Sequence, residues 1–169
     1  MRIETERLLL RQFILEDAPF ILELLNSPGW LRFIGDRGVH TEADATKYLE
    51  ERLIPSYREY GFGFYHVEQK GEQVPIGMCG FAQRPYLDLP DLGFALLPDF
   101  TGQGYAVEAS NACLAYGQQI GMKEVTAFTL PTNTSSLKLL ERVGFHSPEP
   151  FSVPGDEEEL LLLRRGLGW

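Results

Sequence analysis

The sequence predicts a mixed α/β fold, with one mostly antiparallel sheet of about seven strands flanked by about four helices. Three observations lead there. Apolar segments of strand length alternate with helical patterns in the second half of the chain, which favours parallel neighbours there. Elsewhere strand-like runs follow one another across short turns, Lys70-Gly71-Glu72 and Pro154-Gly155, which favours hairpins. Gly121 and Gly144 close two of the helical patterns. At 169 residues, 44% of them hydrophobic, the chain can bury a substantial core, and residues 1–169 read as one domain.

Residues 7–13, Arg-Leu-Leu-Leu-Arg-Gln-Phe, form the first strand. Glu16-Asp17 opens a short helix through Asn26, with Ala18, Ile21, Leu22, Leu24 and Leu25 as its apolar stripe, and Ser27-Pro28-Gly29 ends it. Residues 30–39 read as irregular. Their Trp30, Leu31, Phe33 and Ile34 are costly to expose and would suit the mouth of a pocket. Thr41 and Asp44 resemble a capping box and start a helix to Arg52, or to Tyr60 past Pro55. Residues 63–69 and 75–83 read as a hairpin, Arg84-Pro85-Tyr86 breaks the pattern, and 89–97 is the next strand. A helix over 105–120, a strand over 124–130, a helix over 133–143 and a strand pair over 145–153 and 158–164 complete the order β-α-α-β-β-β-α-β-α-β-β.

The net charge of −9 argues against nucleic acid as a partner, because phosphate binding needs a basic face, and it would help to collect a cationic substrate. No apolar run approaches the length of a membrane span, and the charged start Met1-Arg2-Ile3-Glu4-Thr5-Glu6-Arg7 lacks the apolar block of a signal peptide, so no membrane partner is expected. Cys79 and Cys113 lie in apolar segments and read as buried free thiols of a reducing compartment, which points to the cytoplasm. His40, His66 and His146 show no ligand spacing, so no metal is expected. No Gly-x-Ser-x-Gly motif supports a hydrolase. Monomer and homodimer fit equally well.

The stretch from Leu96 to Ala106 is the most informative. An apolar strand is stopped by Pro98, Gly102-Gln103-Gly104 makes a tight turn, and a helix begins at Tyr105. Such a turn aims several backbone N–H groups at one spot, backed by the positive end of the helix dipole, and a pyrophosphate suits that spot. Glycine lets the backbone approach closely and permits positive φ. Neither a Walker loop nor the dinucleotide fingerprint is present, since no Gly-Lys-Ser/Thr follows and the third glycine is absent. Alone, the turn is equally compatible with an ordinary strand-to-helix loop.

Five features in order resemble a known family. They are Ile76-Gly77-Met78-Cys79-Gly80, Asp91-Leu92-Gly93-Phe94, Thr101-Gly102-Gln103-Gly104-Tyr105-Ala106, Asn133-Thr134-Ser135-Ser136 and Arg142-Val143-Gly144-Phe145. The chain resembles the GNAT superfamily of acetyl-CoA-dependent N-acetyltransferases over nearly its whole length. Its opening Glu4-Thr5-Glu6-Arg7-Leu8-Leu9-Leu10-Arg11 is similar to the branch containing the ribosomal-protein N-terminal alanine acetyltransferases. The resemblance implies a sheet splayed after the fourth strand, with acetyl-CoA as co-substrate. Its pyrophosphate would lie on the amides of Gly102, Gln103, Gly104, Tyr105 and Ala106, next to Thr101. Its pantetheine would pair with the strand backbone at Phe94 and Leu96, as an added strand would. Asn133 would bond the pantetheine, or cap the helix that it precedes, or both. The cations that the family often carries at Thr101 and Gln103 are missing, which would leave phosphate binding to amides and the dipole.

Acetyl transfer needs a neutral amine, a stabilised thioester oxygen and a proton for the leaving thiolate. The resemblance implies Asp91 as the base, directly or through water, the Leu96 N–H as oxygen donor and Ser136 as proton donor. The tyrosine that many members place seven residues after Asn133 is Leu140 here. Asp91 and Ser136 are equally readable as a solvent-facing strand residue and a first-turn serine. The acceptor is then a primary amine, either a protein N-terminus or a cationic small molecule such as an aminoglycoside or polyamine. The competing reading is a non-catalytic acyl-CoA sensor module. Turnover separates the two.

Overall fold

A computed structural model describes residues 1–168. Its eight strands form one sheet in the order β1-β2-β3-β4-β5-β6-β8-β7. They are β1 (Arg2–Glu4), β2 (Leu8–Gln12), β3 (Phe64–Gln69), β4 (Pro75–Ala82), β5 (Asp91–Leu96), β6 (Glu124–Thr129), β7 (His146–Phe151) and β8 (Leu160–Gly166). Every neighbouring pair is antiparallel except β5–β6. The helices are α1 (Ala18–Leu25), α2 (Pro28–Phe33), α3 (Glu42–Tyr48), α4 (Pro55–Tyr60), α5 (Tyr105–Gln119) and α6 (Thr134–Arg142).

Two differences from the sequence reading have clear causes. The edge strand β1 precedes the first expected strand. Its single apolar residue, Ile3, carries no periodic signal, and the strand exists because the turn at Thr5 brings it against β2, with Ile3 opposite Leu10. Residues 30–39 are not all irregular either: Pro28, preceded by an extended Ser27, starts α2. Proline at the first helical position has its φ preset and lacks only an N–H that would be unpaired anyway. This short helix buries Trp30 in the core instead of leaving it at a pocket mouth.

The Thr41–Asp44 capping box forms, with Asp44 N–H on Thr41 Oγ1 at 3.0 Å and Thr41 N–H on Asp44 Oδ2 at 3.1 Å. The helical path then runs to Tyr60 with a wide turn at Leu49–Leu53, where Ile54 N–H reaches the Leu49 carbonyl at 2.9 Å. Pro55 explains the widening, because its ring would crowd the carbonyl four residues back in a regular helix.

Apolar packing lies on both faces of the sheet. On one, α5 supplies Ala109, Cys113 and Leu114 against Leu10, Tyr65, Phe81 and Leu92. On the other, α1, α2, α3 and the wide turn after it cover the sheet through Ile21, Leu24, Trp30, Ala45 and Leu49, with Met78 beneath. Cys79 and Cys113 are buried free thiols. Among the described residues no helix is long and apolar enough to cross a membrane.

Candidate active site

β5 and β6 meet at one point and diverge. Asp91 pairs with Thr126, whose N–H and hydroxyl both donate to the Pro90 carbonyl, at 2.9 and 3.2 Å. Beyond that apex no further β5–β6 pair forms, while the other edge of β5 stays paired to β4 from Asp91 to Leu96. The sheet is therefore splayed after the strand read as fourth in the sequence. Strand alternation decides which groups face the opening. Leu97 N–H donates to Ile76 of the β4 side, and the Pro90 carbonyl faces β6. The main-chain groups of Phe94 and Leu96 consequently point into the cleft, where both residues are half-buried.

The cleft opens onto the glycine turn. After a short 3-10 turn at Pro98–Phe100, Thr101 Oγ1 donates to the Pro98 carbonyl at 2.9 Å and Gln103 Nε2 to the Asp99 carbonyl at 2.9 Å. Gly102 and Gly104 take φ of +73° and +84°, a region that side chains with a Cβ resist. Among the described residues, the backbone N–H groups from Gly102 through Ala106 have no main-chain acceptor, as expected for a turn running into the 15-residue α5. Thr101 and Gln103 thus shape the loop through local bonds and leave its amides unpaired.

The loop carries a cation that the linear reading did not find. Arg7, from the turn between β1 and β2, donates from Nη1 to the Gln103 carbonyl at 3.0 Å. Its guanidinium lies 4.2 Å from the centre of the Tyr105 ring, and its Nε reaches Glu108 Oε1 at 2.7 Å. Positions 101 and 103 carry no cation, and a guanidinium from elsewhere in the chain braces the turn. No local sequence signal marks a partner 96 residues away.

Across the cleft, Asn133 caps α6, its Oδ1 accepting from Ser136 N–H at 3.2 Å. The capping reading holds, and the Asn133 amide Nδ2 has no hydrogen-bond partner among the described residues. Ser136 lies one turn into α6 and is half-buried, and Leu140 is in the core behind it.

At the apex, Asp91 is 3% exposed and held by Arg84, with Nε on Oδ1 at 3.0 Å. Burial pushes the Asp91 carboxyl up, and the Arg84 charge and hydrogen bond pull it part of the way back. The Arg84 guanidinium lies 5.2 Å from the centre of the Phe128 ring, and Phe128 packs on Phe151 at 5.4 Å. Asp91 is therefore neither solvent-facing nor free. Its partner lies in the segment that reads, in sequence, only as a break. An arginine and a carboxylate seven positions apart across a proline turn were the available signal. Tyr57 is a packing residue: its hydroxyl donates to the Phe64 carbonyl and accepts from Phe13 N–H.

Comparison with known proteins agrees with this geometry. Residues 7–146 match the family described as Acetyltransferase (GNAT) domain. The uncharacterized N-acetyltransferase YnaD of Bacillus subtilis (strain 168) is 26% identical over 145 residues, covering 85% of this chain and 82% of YnaD. A GNAT-family acetyltransferase structure from Bacillus anthracis superposes with a TM-score of 0.82 at 24% identity, over 99% of each chain. The ribosomal L7/L12 α-N-protein acetyltransferase RimL, solved with coenzyme A, gives 0.81 at 18% identity over 98% of each chain. The family match takes in every element that frames the cleft, from β5 through α6, and the chain accordingly belongs to the GNAT acetyltransferases.

Proposed function

We propose that the protein moves an acetyl group from acetyl-CoA to a primary amine, with the cleft between β5 and β6 as the site. The observation that carries this reading is the free β5 edge, with the Phe94 and Leu96 main-chain groups turned into the cleft, ending at the unpaired amides of Gly102 to Ala106. The two amides of a pantetheine arm match the edge, and a pyrophosphate matches the turn and helix N-terminus. The cofactor supplies an activated thioester. The remaining work falls to the chain.

Asn133 Nδ2 is free to donate to the pantetheine while Oδ1 keeps its capping bond. Leu96 N–H is the donor for the oxygen on which charge develops. Asp91, at the apex with a carboxyl raised by burial, takes the proton of the attacking amine directly or through water, and Ser136 returns one to the thiolate. A protein α-amine, with a pKa of about 8 against about 10.4 for a lysine side chain, costs less to deprotonate near neutral pH. RimL acts on a protein α-amine, and the present chain shares its fold.

The test is release of CoA thiol from acetyl-CoA in the presence of peptides with Ala or Ser at the N-terminus, polyamines or aminoglycosides, with acetylated product identified by mass. Thiol release matched by acetylated amine supports the enzyme. Binding of acetyl-CoA without turnover by any amine favours the sensor reading instead.

A further inference from the structure

Arg7 is held against the glycine turn along its whole length. Its main-chain N–H donates to Glu108 Oε2 at 2.9 Å, and its carbonyl accepts from Lys70 N–H at 2.9 Å. Its Nε meets Glu108 Oε1 at 2.7 Å, and its Nη1 meets the Gln103 carbonyl at 3.0 Å. The guanidinium lies 4.2 Å from the centre of the Tyr105 ring. Tyr105 is fixed in turn, its hydroxyl accepting from Gln69 Nε2 at 2.8 Å. Gly104 leaves room for this approach, since a Cβ there would lie 3.3 Å from Arg7 Nη2.

These contacts act on the turn in two ways. A trans peptide points its carbonyl and its N–H in opposite directions. With the Gln103 carbonyl turned to Arg7, the Gly104 N–H of the same peptide points away from the guanidinium, and it has no main-chain acceptor. Arg7 therefore orients one donor of the turn, and a cation on the carbonyl strengthens that donor. The other effect is electrostatic. Glu108 stands in the first turn of α5, at the end where an anion would sit. Left unpaired, its carboxylate would repel a phosphate and oppose the pull of the helix dipole. The Thr5 hydroxyl and the Arg7 N–H reach Glu108 as neutral donors. Among the described residues, only the Arg7 guanidinium brings it a positive charge.

Resting on the acetyltransferase reading above, we propose that Arg7 is a positioning residue for the pyrophosphate of the cofactor. It acts through the Gln103–Gly104 peptide and through Glu108 rather than by touching the phosphates. Positions 101 and 103 carry no cation, and the start of the chain supplies one from the far side of that peptide.

The test is the Kd of the purified full chain for CoA, dephospho-CoA and pantetheine, by calorimetric titration. Dephospho-CoA keeps the pyrophosphate and lacks the 3′-phosphate, whereas pantetheine lacks both. Arg7→Gln should weaken CoA and dephospho-CoA alike, by about tenfold, and leave pantetheine unchanged. Arg7→Lys keeps a charge near Glu108 but lacks the planar fork that also reaches Gln103, and should show a smaller loss with the same ligand pattern. Glu108→Gln added to Arg7→Gln should recover part of the lost affinity, because it removes the carboxylate that the first change leaves unpaired. A purely structural brace would lose further affinity instead. Melting curves verify that each variant is folded at the titration temperature. Unchanged binding of CoA by Arg7→Gln overturns the proposal. So does a loss confined to CoA, which would place Arg7 at the 3′-phosphate, or a loss shared by pantetheine, which would mean general loosening. A double variant that binds no tighter than Arg7→Gln also overturns it. Failure of the unsubstituted chain to bind CoA instead overturns the acetyltransferase reading on which the proposal rests.

Discussion

Asp91 combines burial with a single guanidinium partner, and this combination shapes what its replacement does. Asp91→Asn keeps the shape and a hydrogen-bond acceptor for Arg84 but cannot take a proton. General-base catalysis typically contributes about 10²–10⁴-fold, so kcat should fall within that range while the KM for acetyl-CoA holds. Steady-state thiol release on a variant with a normal melting curve checks it. His66 offers a second residue-scale test. It is 2% exposed, wedged edge-on against Phe13 and Phe20, and its Nδ1 has no partner. Burial, helped by the nearby Arg11 charge, lowers its pKa to about 4. The unfolded chain, with a histidine near about 6.5, therefore binds more protons between pH 4 and 6.5, and folding stability rises with pH across that window and levels off above it. The size is on the order of 3 kcal/mol. His66→Phe should flatten that part of the curve, as followed by urea unfolding at pH 4.5, 5.5 and 7.

Among the elements, the glycine turn and the start of α6 separate shape from contact. Gly104→Ala places a Cβ in a left-handed backbone, a cost of about 1–2 kcal/mol, and brings it within 3.3 Å of Arg7 Nη2. Lower thermal stability and weaker acetyl-CoA binding by titration are the expected outcomes. Asn133 is expected to cap with one atom and hold cofactor with the other. Asn133→Ala should cost about 1 kcal/mol of stability through the lost cap. Asn133→Asp keeps the capping acceptor and so the stability, yet loses the Nδ2 donor, and should raise the KM for acetyl-CoA. If both variants leave that KM unchanged, Asn133 is a cap and nothing more. These elements were legible in sequence because their causes are local: proline stops β5, glycines form the turn, and asparagine starts α6. α2 escaped because six residues rich in large apolar side chains carry no clear period, and β1 escaped because three residues cannot alternate.

At the level of the whole molecule, the glycine turn, proposed above to receive the cofactor, is tied to the other end of the chain. Glu108 of α5 accepts from the Thr5 hydroxyl, the Arg7 N–H and the Arg7 Nε. Burial works against its charge, but these donors outweigh it and hold the Glu108 carboxyl below its ordinary range. Its contribution is thus present above the unfolded carboxyl value of about 4.3 and lost as pH falls below it. Glu108→Gln should lower the melting temperature by roughly 2–4 °C at pH 7, with a smaller difference at pH 4. The sequence alone determined the order of most elements, the glycine turn and the Thr41–Asp44 capping box, because each rests on residues within a few positions of one another, and the family, because five such local motifs fall in order along the chain. The tertiary structure decided the rest. The cleft exists because β5 and β6 pair at Asp91 and Thr126 and then part, Arg7 reaches the turn from 96 residues away, and Arg84 meets Asp91 across a loop.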